Sequence, residues 1–340
     1  RCTPDDPRPT GDADAWTVVV KRFPLGADGR DGYVRERTGL ALLPATPQLL
    51  AADDDHHVLV MTDLGKARTL ADVLLDADPD AARAAAVGWA GALGATLAAS
   101  RSHVDEAEAT LVAAGAAPHD PGDAVYAGAT RLLRLLGDDA APSSALEADL
   151  AALSAALRAD PATRIVTPGD TCPDNALLTP GGWRFLDLER TTVRHVALDA
   201  AYALLPFPTC WCLFQPPPGL TDAMFEAFTD ALRPAMPEVV DGAGWGAAVD
   251  AACGAWVLVV NLWLVDAALA EDVDPVTDAV PPLRARLAAR WRWGAERLHP
   301  TLPAAADLLA RAAAWADDAW GADMTVLPPY PAFEGRAAPA

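Results

Sequence analysis

Lysine is almost absent from these 340 residues, and so is asparagine. Only Lys21 and Lys66 accompany 24 arginines, and only Asn175 and Asn261 occur. Basic charge is scarce too: 26 Lys and Arg face 47 Asp and Glu, a net charge of −21. Phosphate polyanions and anionic bilayers attract Lys and Arg, so neither nucleic acid nor a membrane surface is an expected partner. Five cysteines are too few and too scattered for a disulfide framework, which points to a reducing compartment. Cys210 and Cys212 have the spacing of half a metal site, but no matching Cys/His pair follows, so no zinc site is expected. Long apolar runs are missing as well. The most apolar one, Ala251 to Val265, contains Asn261 and is bounded by Asp250 and Asp266. A bilayer span takes about 20 residues, so this run is expected to be a buried core helix. The opening residues show no secretory signal, and a cytoplasmic location is the expectation.

What is present suits a folded domain: 52% of the residues are hydrophobic and 21% charged. The bias toward Arg and Ala has the look of a GC-rich genome, so drift in composition poorly explains a rare residue type. Residues 1–15 are polar and rich in Pro and Asp and read as loop. Trp16 to Phe23 is a strand by its β-branched run. A Pro/Gly turn over 24–32 leads to a helix from Tyr33 to Leu43, with Tyr33, Glu36 and Leu40 on one face. His57 to Thr62 is another strand. Residues 69–100 and 122–159 have helical spacing, interrupted at 115–122. A compact β region spans Arg164 to Leu188. Residues 196–327 are again helical, with Pro-rich breaks at 216–218 and 280–282. The fold class is therefore α+β: a small β-rich front over residues 1–65 and a large helical back over 66–340 that contains one hairpin.

The chemistry concentrates in 164–190, RIVTPGDTCPDNALLTPGGWRFLDLER. Pro180-Gly-Gly is a strong turn signal. A hairpin centred near residue 181 sets position 175 opposite 187, on one sheet face. Asn175 and Asp187 are then neighbours at its open end, and Asp170 lies in the loop entering that end. Mg²⁺ is a hard cation that takes one or two carboxylates together with substrate phosphate oxygens. Asn175 and Asp187 suit a metal–nucleotide, which leaves Asp170 free to orient a substrate hydroxyl.

Gly169-Asp170 and Asn175, at Asp-x₄-Asn spacing, resemble the catalytic loop of the aminoglycoside phosphotransferase and choline kinase families. Leu186-Asp187-Leu-Glu189 resembles their metal-binding strand. Val-Val-Val-Lys21 is similar to the phosphate-contacting lysine strand, and Glu36 to the helix glutamate that pairs with it. Val58 to Gly65 resembles the hinge strand, which makes Met61 and Asp63 cofactor-binding candidates. Asp199 resembles the acidic residue that braces the catalytic loop. The resemblance covers residues 16–205 well and the helical remainder loosely. It implies a protein-kinase-like two-lobe fold that uses ATP or GTP with Mg²⁺. Residue by residue, it implies a catalytic Asp170, metal ligands Asn175 and Asp187, cofactor contacts from Lys21, Glu36, Met61 and Asp63, and structural support from Asp199. A carboxylate on the apolar face of the 33–43 helix needs a partner, and a contact between Glu36 and Lys21 is expected on that ground too.

Three positions depart from the family's pattern. Pro168 stands where the family usually carries a bracing His. Only 20 residues precede Lys21, too few for the family's phosphate-covering hairpin. Cys172 stands in place of a second His. The implied activity is transfer of the γ-phosphate to a hydroxyl of an aminoglycoside-like or other small acceptor, by a monomer or homodimer. The alternatives are a nucleotide-binding pseudokinase and an unrelated helical protein. Residues 196–275 hold 11 acids against Arg233 alone, with Trp211, Trp245, Trp256 and Trp263. Acid beside aromatic suits an ammonium-bearing acceptor, although core packing accounts for most of these tryptophans.

Overall fold

The computed structural model describes residues 17–116, 121–138, 141–158, 160–205, 207–270 and 280–334. The loop expected over 1–15, and Trp16, lie outside them. The front begins with β1 (Val18–Arg22), α1 (Ala27–Leu42), β2 (Leu49–Asp53) and β3 (Val58–Thr62). They form an antiparallel sheet in the order β1-β3-β2, with Lys21 opposite Leu59 and Val19 opposite Met61. Helix α1 starts six residues before Tyr33, inside the segment read as a turn. Gly29 is there for close packing: a Cβ on it would meet the Pro24 carbonyl oxygen at 2.0 Å. Strand β2 was not expected at all. Its Leu-Leu-Ala-Ala-Asp carries little β propensity, and it is an exposed edge.

The chain then enters the helical body. A short β4 (Arg68–Thr69) leads into α2 (Leu70–Leu74), α3 (Pro79–Ser100), α4 (Val104–Ala113), α5 (Pro121–Leu135) and α6 (Ser144–Ala156). Thr69 and Asp72 form a reciprocal capping box at the start of α2. The β region contains β5 (Arg164–Thr167), β6 (Ala176–Thr179), β7 (Gly182–Phe185) and β8 (Thr192–His195). Strand β8, unread in the sequence, pairs with β5, while β7 pairs with β6 and β6 with β4. Next come α7 (Ala197–Leu204), α8 (Leu220–Leu232), α9 (Pro237–Val240), α10 (Trp245–Val259), α11 (Asn261–Ala270), α12 (Leu283–Leu298) and α13 (Pro303–Trp320). This is an α+β, two-lobe, protein-kinase-like arrangement.

The apolar run 251–265 is divided between α10 and α11 at Val260, and the α10 part is buried. Asn261 accounts for itself: its amide donates to the carbonyls of Val257 and Leu258, and its oxygen accepts from the Trp291 indole at 2.9 Å. Among the described residues Trp245–Ala270 is the one stretch long and apolar enough to cross a membrane, and it is mostly buried inside this fold.

Candidate active site

Lys21 sits on β1 among apolar neighbours, and its ammonium lies between two lobes. It donates to Glu36 Oε2 at 2.9 Å and to Asp187 Oδ1 at 2.5 Å, with Glu189 Oε2 at 3.5 Å. The expected Lys21–Glu36 contact is present, and Glu36 is only 2% exposed. Burial pushes the Glu36 carboxyl above its ordinary value, against the pull of Lys21. Burial also works to lower the Lys21 ammonium, but Asp187 and Glu36 more than reverse that and hold it raised. Helix α1 is itself tied to the other lobe, because Arg35 Nη1 donates to the Thr191 carbonyl at 3.0 Å.

A cleft of about 340 Å³ opens beside this lysine, lined by Val19, Lys21, Met61, Asp63, Leu177 and Asp187 among others. Met61 presents a buried side chain to it. Asp63 stands at its rim, but its carboxylate is turned back on its own chain. It accepts from the Thr17 hydroxyl at 2.7 Å and from the Gly65 N–H at 2.9 Å. A larger cavity of about 660 Å³ lies behind α1, between Arg37, Asp54 and Glu106, and holds none of the expected site residues.

The hairpin register differs from the expected one by a residue. Ala176 faces Phe185 and Thr179 faces Gly182. Asn175 therefore lies opposite Leu186, whose N–H donates to the Asn175 carbonyl at 2.8 Å. Asp187 is not on the strand at all. Its φ of 56° is left-handed, uncommon outside glycine, and turns the chain out of β7 toward Lys21. The strand read as running to Leu188 thus stops at Phe185.

Asp170 is half-buried in the loop after β5. Its Oδ1 accepts from the Cys172 N–H at 3.3 Å, and the Asn175 amide donates to its carbonyl at 3.5 Å. Burial pushes the Asp170 carboxyl above its ordinary value. The Cys172 N–H opposes that, the charges of Asp174 and Asp187 add to it, and Arg190 opposes it again. Asp174 and Asp187 thus place negative potential on Asp170. Gly169 gives the loop its shape. It has φ +84°, and a Cβ there would meet the Arg190 carbonyl oxygen at 2.0 Å.

Asp199 is completely buried. Its carboxylate accepts from Arg194 Nε at 3.0 Å, Arg194 Nη2 at 2.8 Å and the Thr167 hydroxyl at 2.7 Å. The Thr167 oxygen in turn accepts from the Gly169 N–H at 3.1 Å. The bracing acid therefore reaches the loop through Thr167, and Pro168 leaves that brace intact. Neither Thr167 nor Arg194 was anticipated. Arg194 sits on the buried strand β8 five residues before Asp199, and a cation there needs a counter-charge.

No disulfide framework was expected, yet one disulfide is present. Cys172 and Cys210, 38 residues apart in sequence, form a disulfide with Cα atoms 5.8 Å apart. The half metal site goes with it, and Cys212 is left buried and free. Among the described residues no cluster of three His, Cys, Asp or Glu forms a metal cage. Trp245 and Trp256 belong to the core, the latter donating to the Leu198 carbonyl at 2.8 Å. Trp263 is exposed on α11. Of the four tryptophans in 196–275, Trp211 reaches the loop after Asp170, where its indole donates to Asp174 Oδ2 at 2.9 Å.

The sequence profile of the Phosphotransferase enzyme family matches residues 10–239, more than half of the chain. No curated protein matches the sequence. Among solved structures, a choline/ethanolamine kinase family protein from Mesorhizobium loti is 18% identical, with 88% of each chain covered and a TM-score of 0.45. The macrolide 2'-phosphotransferase of Brachybacterium faecium is also 18% identical, over 76% of this chain and 82% of that one, with a TM-score of 0.45. The choline kinase of Streptococcus pneumoniae is 15% identical, over 84% and 86%, with a TM-score of 0.43.

Proposed function

The chain belongs to the phosphotransferase enzyme family, and from that premise we propose that it moves the γ-phosphate of ATP to a hydroxyl of a small, amine-bearing acceptor in the cytoplasm. The observation that carries this reading is Lys21, held between Glu36 and Asp187 in the wall of the cleft. In it, residues 1–65 receive the nucleotide and 66–340 the acceptor.

Asn175 and Asp187 offer hard oxygen donors, and the negative potential that Asp174 and Asp187 place on Asp170 suits a divalent cation. These two residues would hold Mg²⁺, which when bound neutralises phosphate charge. Lys21, steered by Glu36, directs its ammonium to the phosphates. Met61 and the backbone at Asp63 face the base. Asp170 aligns the acceptor hydroxyl and takes its proton as the bond to phosphorus forms. An amine on the acceptor is favoured by Asp174, whose Oδ2 accepts from the Trp211 indole at 2.9 Å. The brace through Thr167 and Asp199 supports a catalytic loop rather than a silent one, so Pro168 does not tip the reading toward a pseudokinase.

Mg-ATP at a hundredfold excess over its Kd should stabilise the protein by about 2.7 kcal/mol, read as a rise of a few degrees in Tm. Asp187→Ala should erase the shift, since the phosphates then lose a metal ligand. A mutant that keeps the full shift removes Asp187 from the site.

A further inference from the structure

Residues 207–214, which follow α7, form a strap against the catalytic loop and are tied to it twice. Cys210 is bonded to Cys172, two residues past Asp170, and the Trp211 indole donates to Asp174. Helix α12 holds the strap from the other side. Arg286 Nη1 donates to the Trp211 carbonyl at 3.1 Å and Arg290 Nη2 to the Cys210 carbonyl at 3.4 Å, both from buried guanidiniums. The Thr209 hydroxyl meets Tyr202 Oη, which fixes the strap to α7. The disulfide is thus a covalent link from the anchored helical body to the loop that carries Asp170. Since the Cys172 N–H donates to Asp170 Oδ1, a displacement of Cys172 is passed directly to that carboxylate.

Resting on the functional reading above, we propose that the Cys172–Cys210 disulfide is a redox-controlled positioning link: formed, it holds Asp170 in the transfer geometry, and reduced, it frees the loop and slows transfer. An enzyme that draws on ATP in the cytoplasm works where thiols are kept reduced. Disulfides found there are usually transient and redox-sensing. Both residues are buried, Cys172 less deeply at 7% exposed against 2% for Cys210. A dithiol attacks Cys172 Sγ as its thiolate, and Cys210 leaves and takes up a proton. The second thiol of the reductant then closes its own disulfide and releases Cys172 as a thiol. Two electrons and two protons pass from the dithiol to the protein. A small disulfide such as oxidised glutathione drives the reverse. Cys212 is no rival nucleophile, because burial pushes its thiol well up.

The test compares full-length protein oxidised with glutathione disulfide and reduced with dithiothreitol. Differential alkylation and mass spectrometry report the state of Cys172 and Cys210. Steady-state phosphate release from Mg-ATP, with water as acceptor, gives kcat and KM. Reduction should lower kcat by about tenfold to a hundredfold, the scale of a misplaced catalytic group, with KM for Mg-ATP unchanged. Reoxidation should restore the rate. Cys172→Ser and, separately, Cys210→Ser should match the reduced rate and ignore the redox state. Free thiols at both positions after oxidation would overturn the proposal, as would full reduction without a change in kcat. A parallel loss of kcat, Mg-ATP affinity and Tm would also overturn it, by showing a plain stability staple. A disulfide that forms in a protein whose Tm ignores Mg-ATP refutes the functional reading itself, and the redox link falls with it.

Discussion

Asp170→Asn should cut turnover by about 10²–10⁴-fold, the contribution of a positioned acid–base group, and leave Mg-ATP binding nearly intact. The amide is isosteric, and its oxygen can still accept the Cys172 N–H that Asp170 Oδ1 accepts now. The loop geometry and the donors at Asn175 and Asp187 therefore survive. What disappears is the site that receives the acceptor's proton. A second effect should run the other way. Burial and the nearby charges of Asp174 and Asp187 raise the folded-state pKa of Asp170 above its unfolded value. Over the window between the two values, the unfolded chain binds fewer protons than the folded one. Stability then falls as pH rises through that window, and the ionised group is a burden above it. Asp170→Asn removes this burden, so without ligand its Tm should exceed that of the parent at neutral pH and converge toward it in acid. In the parent, the acid limb of kcat should lie above the ordinary carboxylate range of about 4. Wild-type turnover in a folded Asp170→Asn would take Asp170 out of the chemistry.

Much of this site was legible because a few residue types were costly where they stood. A carboxylate at Glu36, on a face shared with Tyr33 and Leu40, demands a cation, and one of only two lysines stands on the neighbouring strand. The Asp-x₄-Asn loop and the hairpin after it could be placed from the Pro-Gly-Gly turn. The register could not. A turn of two residues differs from one of three by a single position, and nothing in the sequence showed that Asp187 adopts a left-handed backbone. Strand β2 stayed hidden because its pairing comes from β3 rather than from its own residues. The disulfide stayed hidden because the juxtaposition of Cys172 and Cys210 is made by α7 and the strap after it. Sequence spacing carries no trace of that. Arg194 was half visible: its partner Asp199 was identified by resemblance, but the strand that presents the arginine was not recognised.

That pair carries the second large expected effect. Asp199→Ala should destabilise the protein by about 3–5 kcal/mol, the usual cost of leaving one member of a buried ion pair alone. Arg194 is 3% exposed, with its guanidinium over the Trp256 ring at 5.6 Å. Burial alone would lower its pKa, and Asp199 keeps it raised instead. Urea unfolding should show the loss as a lower midpoint at unchanged slope, and a midpoint within experimental error of the parent would refute the role given to the pair. The effect of Asp199 on stability can be separated from its effect on the loop. Replacing both partners by apolar residues, Arg194→Met with Asp199→Leu, leaves no stranded charge, and such replacements are often neutral or better. The double variant should therefore regain most of the lost stability. It should not regain turnover, because the Thr167 hydroxyl has lost its acceptor and no longer fixes the oxygen that holds the Gly169 N–H, one residue before Asp170. A double variant as unstable as Asp199→Ala would place the loss in Thr167 rather than in the stranded guanidinium. One that recovers turnover together with stability would show that the loop keeps its shape without the brace.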